Sequence, residues 1–239
     1  MIHKKNICIF ILSNHRSGTS ATGGCLNICG IDYGKSKHPF ESKGTQWNEK
    51  GYFENTAFSE KNNEILESID QSWNNPYPIT EQQENNLKTN EGYASQIIEL
   101  INEEFDSNVF YIKDPRMLFL YPVYVNVLKK ANITPYFLWV QRDVEAILKS
   151  LWRRGHTNWQ NDRELGLMHH QKHVSGFNKF LEGCTSERIP FKFTTLDYQS
   201  LVTNPVLELN KIDEIFNLNL VSGNEEEIIS FIDGKLKHF

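Results

Sequence analysis

A polar turn near the start of the sequence groups side chains that can bind an anion. Residues 13–20, SNHRSGTS, follow an apolar run and end in Thr19 and Ser20, which can begin a helix. Arg16 supplies a fixed positive charge, Gly18 lets the backbone approach a ligand closely, and the hydroxyl groups add donors. The unpaired N–H groups and the dipole of a helix N-terminus also favour negative charge. We therefore predict an anion site at residues 13–20, named the anion loop below.

The anion loop differs from the phosphate loop of magnesium-dependent nucleoside triphosphatases. That loop, G-x-x-x-x-G-K-[ST], places a Lys on the terminal phosphates and a hydroxyl on magnesium. Here no Gly opens the loop and no Lys precedes Thr19 or Ser20, whereas the cation lies earlier, at Arg16. The sequence therefore disfavours a P-loop kinase, which we keep as an alternative.

Arg142 and Ser150, eight residues apart, form a second candidate site. Arg142 follows a strand predicted at 136–141, and Ser150 lies about two turns into the helix expected next. A guanidinium fork and a hydroxyl presented together suit a phosphate monoester. Taken alone, the pair is also consistent with a surface ion pair and a Ser on a helix face.

Charged residues also follow a strand predicted at 109–112. Lys113 and Asp114 come directly after it, and Pro115 and Arg116 complete the segment KDPR. Because Pro cannot continue a strand ladder, these side chains are expected at the strand's carboxyl end. Open α/β sheets bind their ligands at that edge, so we expect these residues to lie near the ligand.

The elements that position these residues alternate along the chain, which predicts an α/β fold. Apolar runs of strand length predict strands at 7–12, 109–112, 136–141 and 191–195. Helices are expected at about 19–29, 56–70, 80–105 and 120–130. One further helix is expected to begin at 144, another to end at about 183, and two more to follow the last strand. We expect a P-loop-like, three-layer arrangement with a central, mostly parallel sheet flanked by helices. The length of 239 residues and the absence of repeats predict one domain spanning 1–239.

Composition excludes several classes of protein. A formal net charge of −5 argues against a nucleic-acid partner. No stretch resembles a transmembrane helix or a signal peptide, which predicts a cytoplasmic protein. His169 and His173 have the spacing of metal ligands, but no third ligand follows, so we expect no metal and expect these rings to line a pocket or face solvent. The cysteines lack metal-ligand spacing and are expected to be free thiols: Cys8, Cys25, Cys29 and Cys184.

The anion loop resembles a loop of the sulfotransferases that use 3′-phosphoadenosine 5′-phosphosulfate (PAPS). HRSGTSA is similar to their bacterial G-H-R-S-G-T-S loop, and RSGTS to the R-S-G-T-T loop of the tyrosylprotein enzymes. Five further segments match in order: WNEKGYFEN, IKDPR, VQRDVEAILKSLWRR, LDYQSLVTNP and SFIDGKLKHF. The chain departs from the family at Gly234, where Pro is usual, and at His170 and His173, where aromatic residues are frequent.

This resemblance implies an enzyme that transfers a sulfuryl group from PAPS to a hydroxyl or amine by in-line displacement, without a metal. It implies that Arg142 and Ser150 bind the 3′-phosphate and that Tyr198 stacks on the adenine. The phosphosulfate would bind the residues of the anion loop: Arg16, Ser17, Gly18, Thr19 and Ser20. The acceptor would be a small molecule, carbohydrate, lipid or peptide. A nucleotide-binding module without catalysis is a further alternative.

The resemblance also implies which residues act in catalysis. Arg16 and Lys113 would stabilise charge on the leaving oxygen, since the family's K-D-P lysine reaches that atom. Glu54, at the end of the WNEKGYFE run, would be the general base, and Asp114 is the second candidate. A carboxylate at residue 54 would also favour the start of a helix near Thr56, so a capping role for Glu54 is the alternative.

Overall fold

The computed structural model describes residues 6–37, 50–154 and 162–232 as an α/β fold around a parallel sheet. The strands are β1 (Asn6–Leu12), β2 (Val109–Lys113), β3 (Ile133–Gln141) and β4 (Lys192–Asp197), in the order β2-β1-β3-β4. Every strand pairing in the described ranges is parallel. The predicted fold class is therefore confirmed, and the carboxyl ends of all four strands meet at one edge.

Helices cover both faces of the sheet. They are α1 (Thr19–Ile28), α2 (Thr56–Glu67), α3 (Glu81–Thr89), α4 (Glu91–Glu104), α5 (Tyr121–Lys130), α6 (Val144–Arg154), α7 (Arg163–Ser186), α8 (Tyr198–Thr203), α9 (Pro205–Phe216) and α10 (Glu225–Phe231), with a 3-10 helix at Pro115–Leu118. None of the helices within the described ranges is long and apolar enough to span a membrane.

The central strand β1 separates two hydrophobic clusters. Phe10 packs with residues of α2, α4, α5 and α7 on one face of the sheet. Ile9 and Ile11 pack with residues of α1, α8, α9 and α10 on the other face. Because strand side chains alternate between faces, burial on both sides requires the continuous apolar run seen in β1. This arrangement fixes β1, and with it the anion loop at its carboxyl end.

Two helix predictions were wrong in detail. The single helix expected at 80–105 is two helices, because Asn90 is extended (φ −82°, ψ 92°) and its side chain caps α4 by accepting from the N–H of Gly92. A capping box of Thr80 and Gln83 begins α3. In the described residues after β4, up to residue 232, there are three helices rather than two, since α8 begins directly at Tyr198.

Some sequence predictions fall outside the described residues. These are the first three residues of WNEKGYFEN and the end of SFIDGKLKHF. The cysteines are free, and three of the four are buried. Cys29 is only partly buried.

Candidate active site

The anion loop connects β1 to α1 through an unusual backbone. Arg16 adopts a left-handed conformation (φ 68°), and so does Gly18 (φ 99°), which is the N-cap of α1. The hydroxyl of Ser13 donates to the carbonyl of Val140 at 2.6 Å and ties the loop to β3. The hydroxyl of Ser17 donates to the carbonyl of Asn14 at 2.6 Å, which leaves the backbone N–H groups of the turn as the donors for an anion.

Asn14 is the least satisfied residue of the anion loop. It is fully buried, and neither polar atom of its side chain has a hydrogen-bond partner among the described residues. Buried amides are normally paired with protein or with bound groups. An amide with a free donor and a free acceptor inside this loop is therefore consistent with a polar ligand at the site.

The two predicted phosphate-binding segments form one bonded cluster. Nε of Arg16 donates to Oγ of Ser150 at 2.8 Å, and Nη1 of Arg142 donates to the carbonyl of Arg16 at 2.7 Å. The guanidinium carbon of Arg142 lies 4.7 Å from the centre of the Tyr198 ring, within cation–π range. The structure thus brings together Arg16, Arg142, Ser150 and Tyr198 from three different strand ends.

The glycine of the anion loop makes this cluster possible. A Cβ at Gly18 would lie 2.0 Å from the Tyr198 ring, so only glycine allows the ring to approach the loop. Burial lowers the pKa of the Arg142 guanidinium and raises the pKa of the Tyr198 hydroxyl. A partly desolvated guanidinium beside a neutral ring favours an anionic, aromatic ligand.

Lys113 and Glu54 form an ion pair at the carboxyl end of β2. Nζ of Lys113 donates to Oε1 of Glu54 at 2.5 Å, and the Lys113 side chain is only 1% exposed. Glu54 retains 20% exposure, so this carboxylate is the solvent-facing partner. The side chain that caps α2 belongs to Asn55, which accepts from the N–H of Phe58 at 3.2 Å. Glu54 is therefore directed to Lys113 rather than to the helix.

Two glycines of α1 make room beside this ion pair. A Cβ at Gly23 would lie 3.1 Å from Cβ of Phe53 and 3.4 Å from Cδ of Lys113. A Cβ at Gly24 would lie 2.2 Å from the Phe231 ring of α10 and 3.0 Å from the ring of Phe53. The glycines let α1 lie close to Lys113 and to the residue before Glu54.

Asp114 is occupied by three hydrogen bonds. Its Oδ1 accepts from the N–H of Arg116 and from Nη1 of Arg116, both at 2.9 Å, and its Oδ2 accepts from the amide of Asn62 at 2.8 Å. Burial would lower the pKa of the Arg116 guanidinium, but the neighbouring Asp114 and Glu54 carboxylates and the hydrogen bond to Asp114 together outweigh burial and raise it. Asp114 is thus placed to orient Arg116, with both of its oxygens engaged.

A cluster of imidazoles lies on the other side of the anion loop. We name His15, His169 and His173 the histidine cluster: ring centres are 4.5 Å apart for His169 and His173, and 5.8 Å apart for His15 and His173. Trp73, from the loop after α2, packs on His15 at 4.9 Å. Burial lowers the pKa of His169 to about 4 and that of His173 well below its ordinary value. At neutral pH both rings are uncharged.

Of the two positions expected for His169 and His173, lining a pocket or facing solvent, the second is wrong. His169 and His173 are fully buried, so neither ring faces solvent. In the described part of the chain, no group of His, Cys, Asp or Glu side chains is arranged to hold a metal. Their spacing of four residues placed both rings on one face of a helix, but the sequence did not indicate that this face is the inner one.

Comparison with known proteins identifies the family. The family model described as "Sulfotransferase family" matches residues 8–221, most of the chain. No curated protein sequence matches significantly. Among solved structures, sulfotransferase STF9 from Mycobacterium avium aligns with a TM-score of 0.51 at 14% identity, over 95% of this chain and 68% of that chain. At such identity the likeness concerns the fold alone.

Two further structures align over most of the chain. Sulfotransferase STF1 from Mycobacterium tuberculosis gives a TM-score of 0.47 at 14% identity, over 94% of this chain and 71% of that chain. A sulfotransferase domain from the curacin biosynthetic pathway gives 0.47 at 14% identity, over 95% of this chain and 77% of that chain. The match of the family model over nearly the whole sequence is the decisive finding. The chain belongs to the sulfotransferase family.

Proposed function

We propose that this sulfotransferase uses PAPS as the donor and transfers its sulfuryl group to a hydroxyl or amine by in-line displacement. The observation that carries the proposal is the bonded cluster of Arg16, Ser150, Arg142 and Tyr198, which joins the anion loop to the second phosphate-binding segment. A ligand with two anionic ends and an aromatic base suits two guanidinium groups beside a ring. The unsatisfied amide of Asn14 also supports a polar ligand here.

Each part of the cluster would hold one part of the donor. The N–H groups of the anion loop, with Arg16, would bind the phosphosulfate. Arg142 and Ser150 would bind the 3′-phosphate, and Tyr198 would pack on the adenine. PAPS supplies the activated sulfuryl group, whose bond to the phosphate oxygen breaks as the bond to the acceptor oxygen or nitrogen forms.

Lys113 would stabilise the leaving group. Its ammonium is almost completely buried, so little hydration weakens its attraction for a growing negative charge. That charge develops on the phosphate oxygen only as the sulfuryl group departs. The contribution of Lys113 therefore belongs to the transition state rather than to donor binding.

Glu54 would be the general base and would take the proton of the acceptor. It is the exposed member of the ion pair with Lys113, so an acceptor can reach it. Asp114 is less suited, because three donors already occupy its two oxygens. The pairing of Glu54 with Lys113 also keeps the base close to the group that stabilises the leaving oxygen.

Calorimetry with adenosine 3′,5′-bisphosphate, the product of the donor, tests this proposal. We expect binding at micromolar concentration or tighter without a divalent metal. Arg142→Ala should weaken it by about 2–4 kcal/mol, the cost of removing one partner of a partly buried charged pair. Binding of adenosine monophosphate should hardly change, because it lacks the 3′-phosphate.

The control is Arg163→Ala, which removes an exposed guanidinium paired with Glu145 outside the cluster. It should leave both affinities unchanged. Equal loss of both ligands in Arg142→Ala would contradict the proposed 3′-phosphate site. Magnesium-dependent binding of adenosine triphosphate would favour the kinase, and tight bisphosphate binding without any turnover would favour the non-catalytic module.

A further inference from the structure

Glu104 occupies a position that is unfavourable for a carboxylate. It is the last residue of α4, where the helix dipole disfavours negative charge. It is also 7% exposed, and burying a charge is costly unless hydrogen bonds replace its hydration. A residue placed against two such costs requires contacts that offset them.

Those contacts are three hydrogen bonds from two residues far away in sequence. Oε2 of Glu104 accepts from the N–H of Ser36 at 2.7 Å and from the amide of Asn55 at 2.6 Å. Oε1 accepts from the hydroxyl of Ser36 at 2.7 Å. Burial would raise the pKa of the Glu104 carboxyl, but these hydrogen bonds outweigh it and lower the pKa. The carboxylate therefore stays ionised and joins α4 to residues 36 and 55.

The amide of Asn55 is fixed on every side. Besides its bond to Glu104, its nitrogen donates to the carbonyl of Tyr33 at 3.2 Å, and its oxygen caps α2. A Cβ at Gly34 would lie 2.3 Å from this nitrogen and 3.0 Å from Oε2 of Glu104, so the chain passes as closely as a glycine allows. The N–H of Thr56 also donates to the carbonyl of Ser36 at 2.8 Å.

The residue on the other side of Glu54 adds a reason for this rigidity. Phe53 has a left-handed backbone (φ 52°), which is costly for an aromatic residue and persists only where the surroundings enforce it. Glu54 lies between this strained residue and Asn55. The hydrogen bonds of Asn55 are therefore placed to keep the strained segment from relaxing away from Lys113.

We propose that Glu104 is a positioning residue, which holds Glu54 against Lys113 by fixing Asn55 and the chain at residues 34–36. The proposal rests on the functions proposed above for Glu54 and Lys113. Glu104 acts through Asn55 and takes no part in the transfer itself.

Native-state acetylation of the full chain with acetic anhydride tests this without any turnover. The labelling of Lys113 and of Lys172 is followed by mass spectrometry. Glu104→Gln turns one of the two acceptor oxygens into an NH2 group, which cannot accept from Asn55 or Ser36, and it removes the negative charge from the oxygen that remains. We expect Lys113 to be labelled about tenfold faster, because its contact with Glu54 then opens more often.

Lys172 is the internal control, since it is equally a buried lysine but is bonded to Gln71 and Asn75 on the other side of the site. Its labelling should not change in Glu104→Gln. Faster labelling of both lysines would indicate general loosening and overturn the proposal. Unchanged labelling of Lys113 would overturn it as well.

Two further variants keep the test decisive if Glu104→Gln folds poorly. Asn55→Ser preserves a good helix cap but is too short to reach Glu104, so it should accelerate the labelling of Lys113 as Glu104→Gln does. Glu84→Gln is the matched control, because Glu84 is a half-buried carboxylate bonded to Tyr121 and Lys179 away from the site. It should leave the labelling of Lys113 unchanged.

Turnover then separates the two proposals. With PAPS as donor and 2-naphthol and water as probe acceptors, Glu104→Gln should lower kcat by about tenfold to a hundredfold and leave the KM for PAPS nearly unchanged. In a Glu54→Gln background it should lower kcat no further, whereas a general loss of structure would lower it again. Absence of turnover in the wild-type chain would count against the proposed donor, while the labelling still decides the role of Glu104.

Discussion

The two sides of the anion loop bury their titratable groups in opposite ways. At the end of β2 side chains of opposite charge form ion pairs, Lys113 with Glu54 and Arg116 with Asp114. In the histidine cluster burial instead lowers the pKa values, so that His169 and His173 stay neutral. Ion pairs place charged groups where they can stabilise a transition state, whereas neutral imidazole rings form a buried surface that carries no net charge.

We therefore expect turnover to depend on the charged residues beside β2, and the stability of the fold to depend on pH through the histidine cluster. Changes on the β2 side should alter turnover with little effect on the acid stability of the fold. Changes in the histidine cluster should do the reverse. The following predictions test that division, beginning with the largest effect.

Lys113→Ala should lower kcat by about two to three orders of magnitude, because it removes the buried cation that we propose stabilises the departing oxygen. The affinity for adenosine 3′,5′-bisphosphate should change little, as calorimetry can show. The comparison is Lys172→Met, which removes the other buried lysine and should leave kcat nearly intact. Similar losses of kcat in both variants would contradict the proposed difference between the two sides of the anion loop.

Glu54→Gln should lower kcat with an alcohol acceptor by about two orders of magnitude. Glutamine keeps the shape of the side chain and most of its hydrogen bonding but cannot take the proton. Steady-state rates and the melting temperature should be measured together, since a capping role would alter stability and spare turnover. Full activity of this variant would assign the proton to Asp114 or to the acceptor itself.

Acid should destabilise the fold through His169. Its pKa is lowered to about 4 in the folded protein, whereas an unfolded histidine titrates near about 6.5. The unfolded state therefore binds the extra proton as the pH falls from about 6.5 to about 4, which lowers the free energy of unfolding by about 3 kcal/mol. Above pH 6.5 this contribution is fully present.

Urea unfolding at pH 7 and pH 5 measures the larger part of that loss, about 2 kcal/mol. His169→Gln can still donate to the carbonyl of Trp73 but cannot be protonated, so its stability should fall less between the two pH values. The variant Glu84→Gln serves as a reference for the general titration of carboxylates. Identical pH dependence in the wild type and His169→Gln would show that the buried ring is not neutral.

Lys172→Met should have the smallest effect, a loss of about 1 kcal/mol of unfolding free energy. It removes hydrogen bonds to Gln71 and Asn75 and a cation–π contact in which Nζ lies 4.2 Å from the centre of the Phe119 ring. Burial lowers the pKa of this lysine to about 8, so part of the lost bonding is offset by removing a poorly hydrated amine. Urea midpoints at pH 7 give the difference.

The sequence predicted the sheet and the groups at its edge because both follow from local patterns. Apolar runs ending in charged residues predicted β1, β2 and β3, and parallel strands necessarily bring Arg16, Lys113 and Arg142 to one edge. The order of these residues in the chain was therefore enough to place them near one another. Their roles in donor binding and transfer stay predictions.

The remaining features depend on contacts between distant segments. Nothing near Glu104 in sequence indicates that it meets Ser36 and Asn55, because tertiary packing alone brings them together. The spacing of His169 and His173 predicted that they share one helix face, but it left open whether that face lines a pocket or faces solvent, and the face is buried. The break at Asn90 was missed because residues 80–105 favour helix on both sides of it.

Because α1 has two adjacent glycines, Gly23 and Gly24, helix α10 can pack close to the segment that contains Glu54. Phe231 of α10 occupies the space above Gly24 and packs edge-on against Phe53 at 5.7 Å. Nζ of Lys50 donates to the carbonyl of Phe231. Together with Phe53, two residues of the segment that leads to Glu54 therefore contact α10. Displacing α10 would therefore remove packing contacts from the strained backbone of Phe53, beside the proposed base Glu54. A shift of α10, which is more than 170 residues away in the sequence, would therefore alter the position of residues 53 and 54.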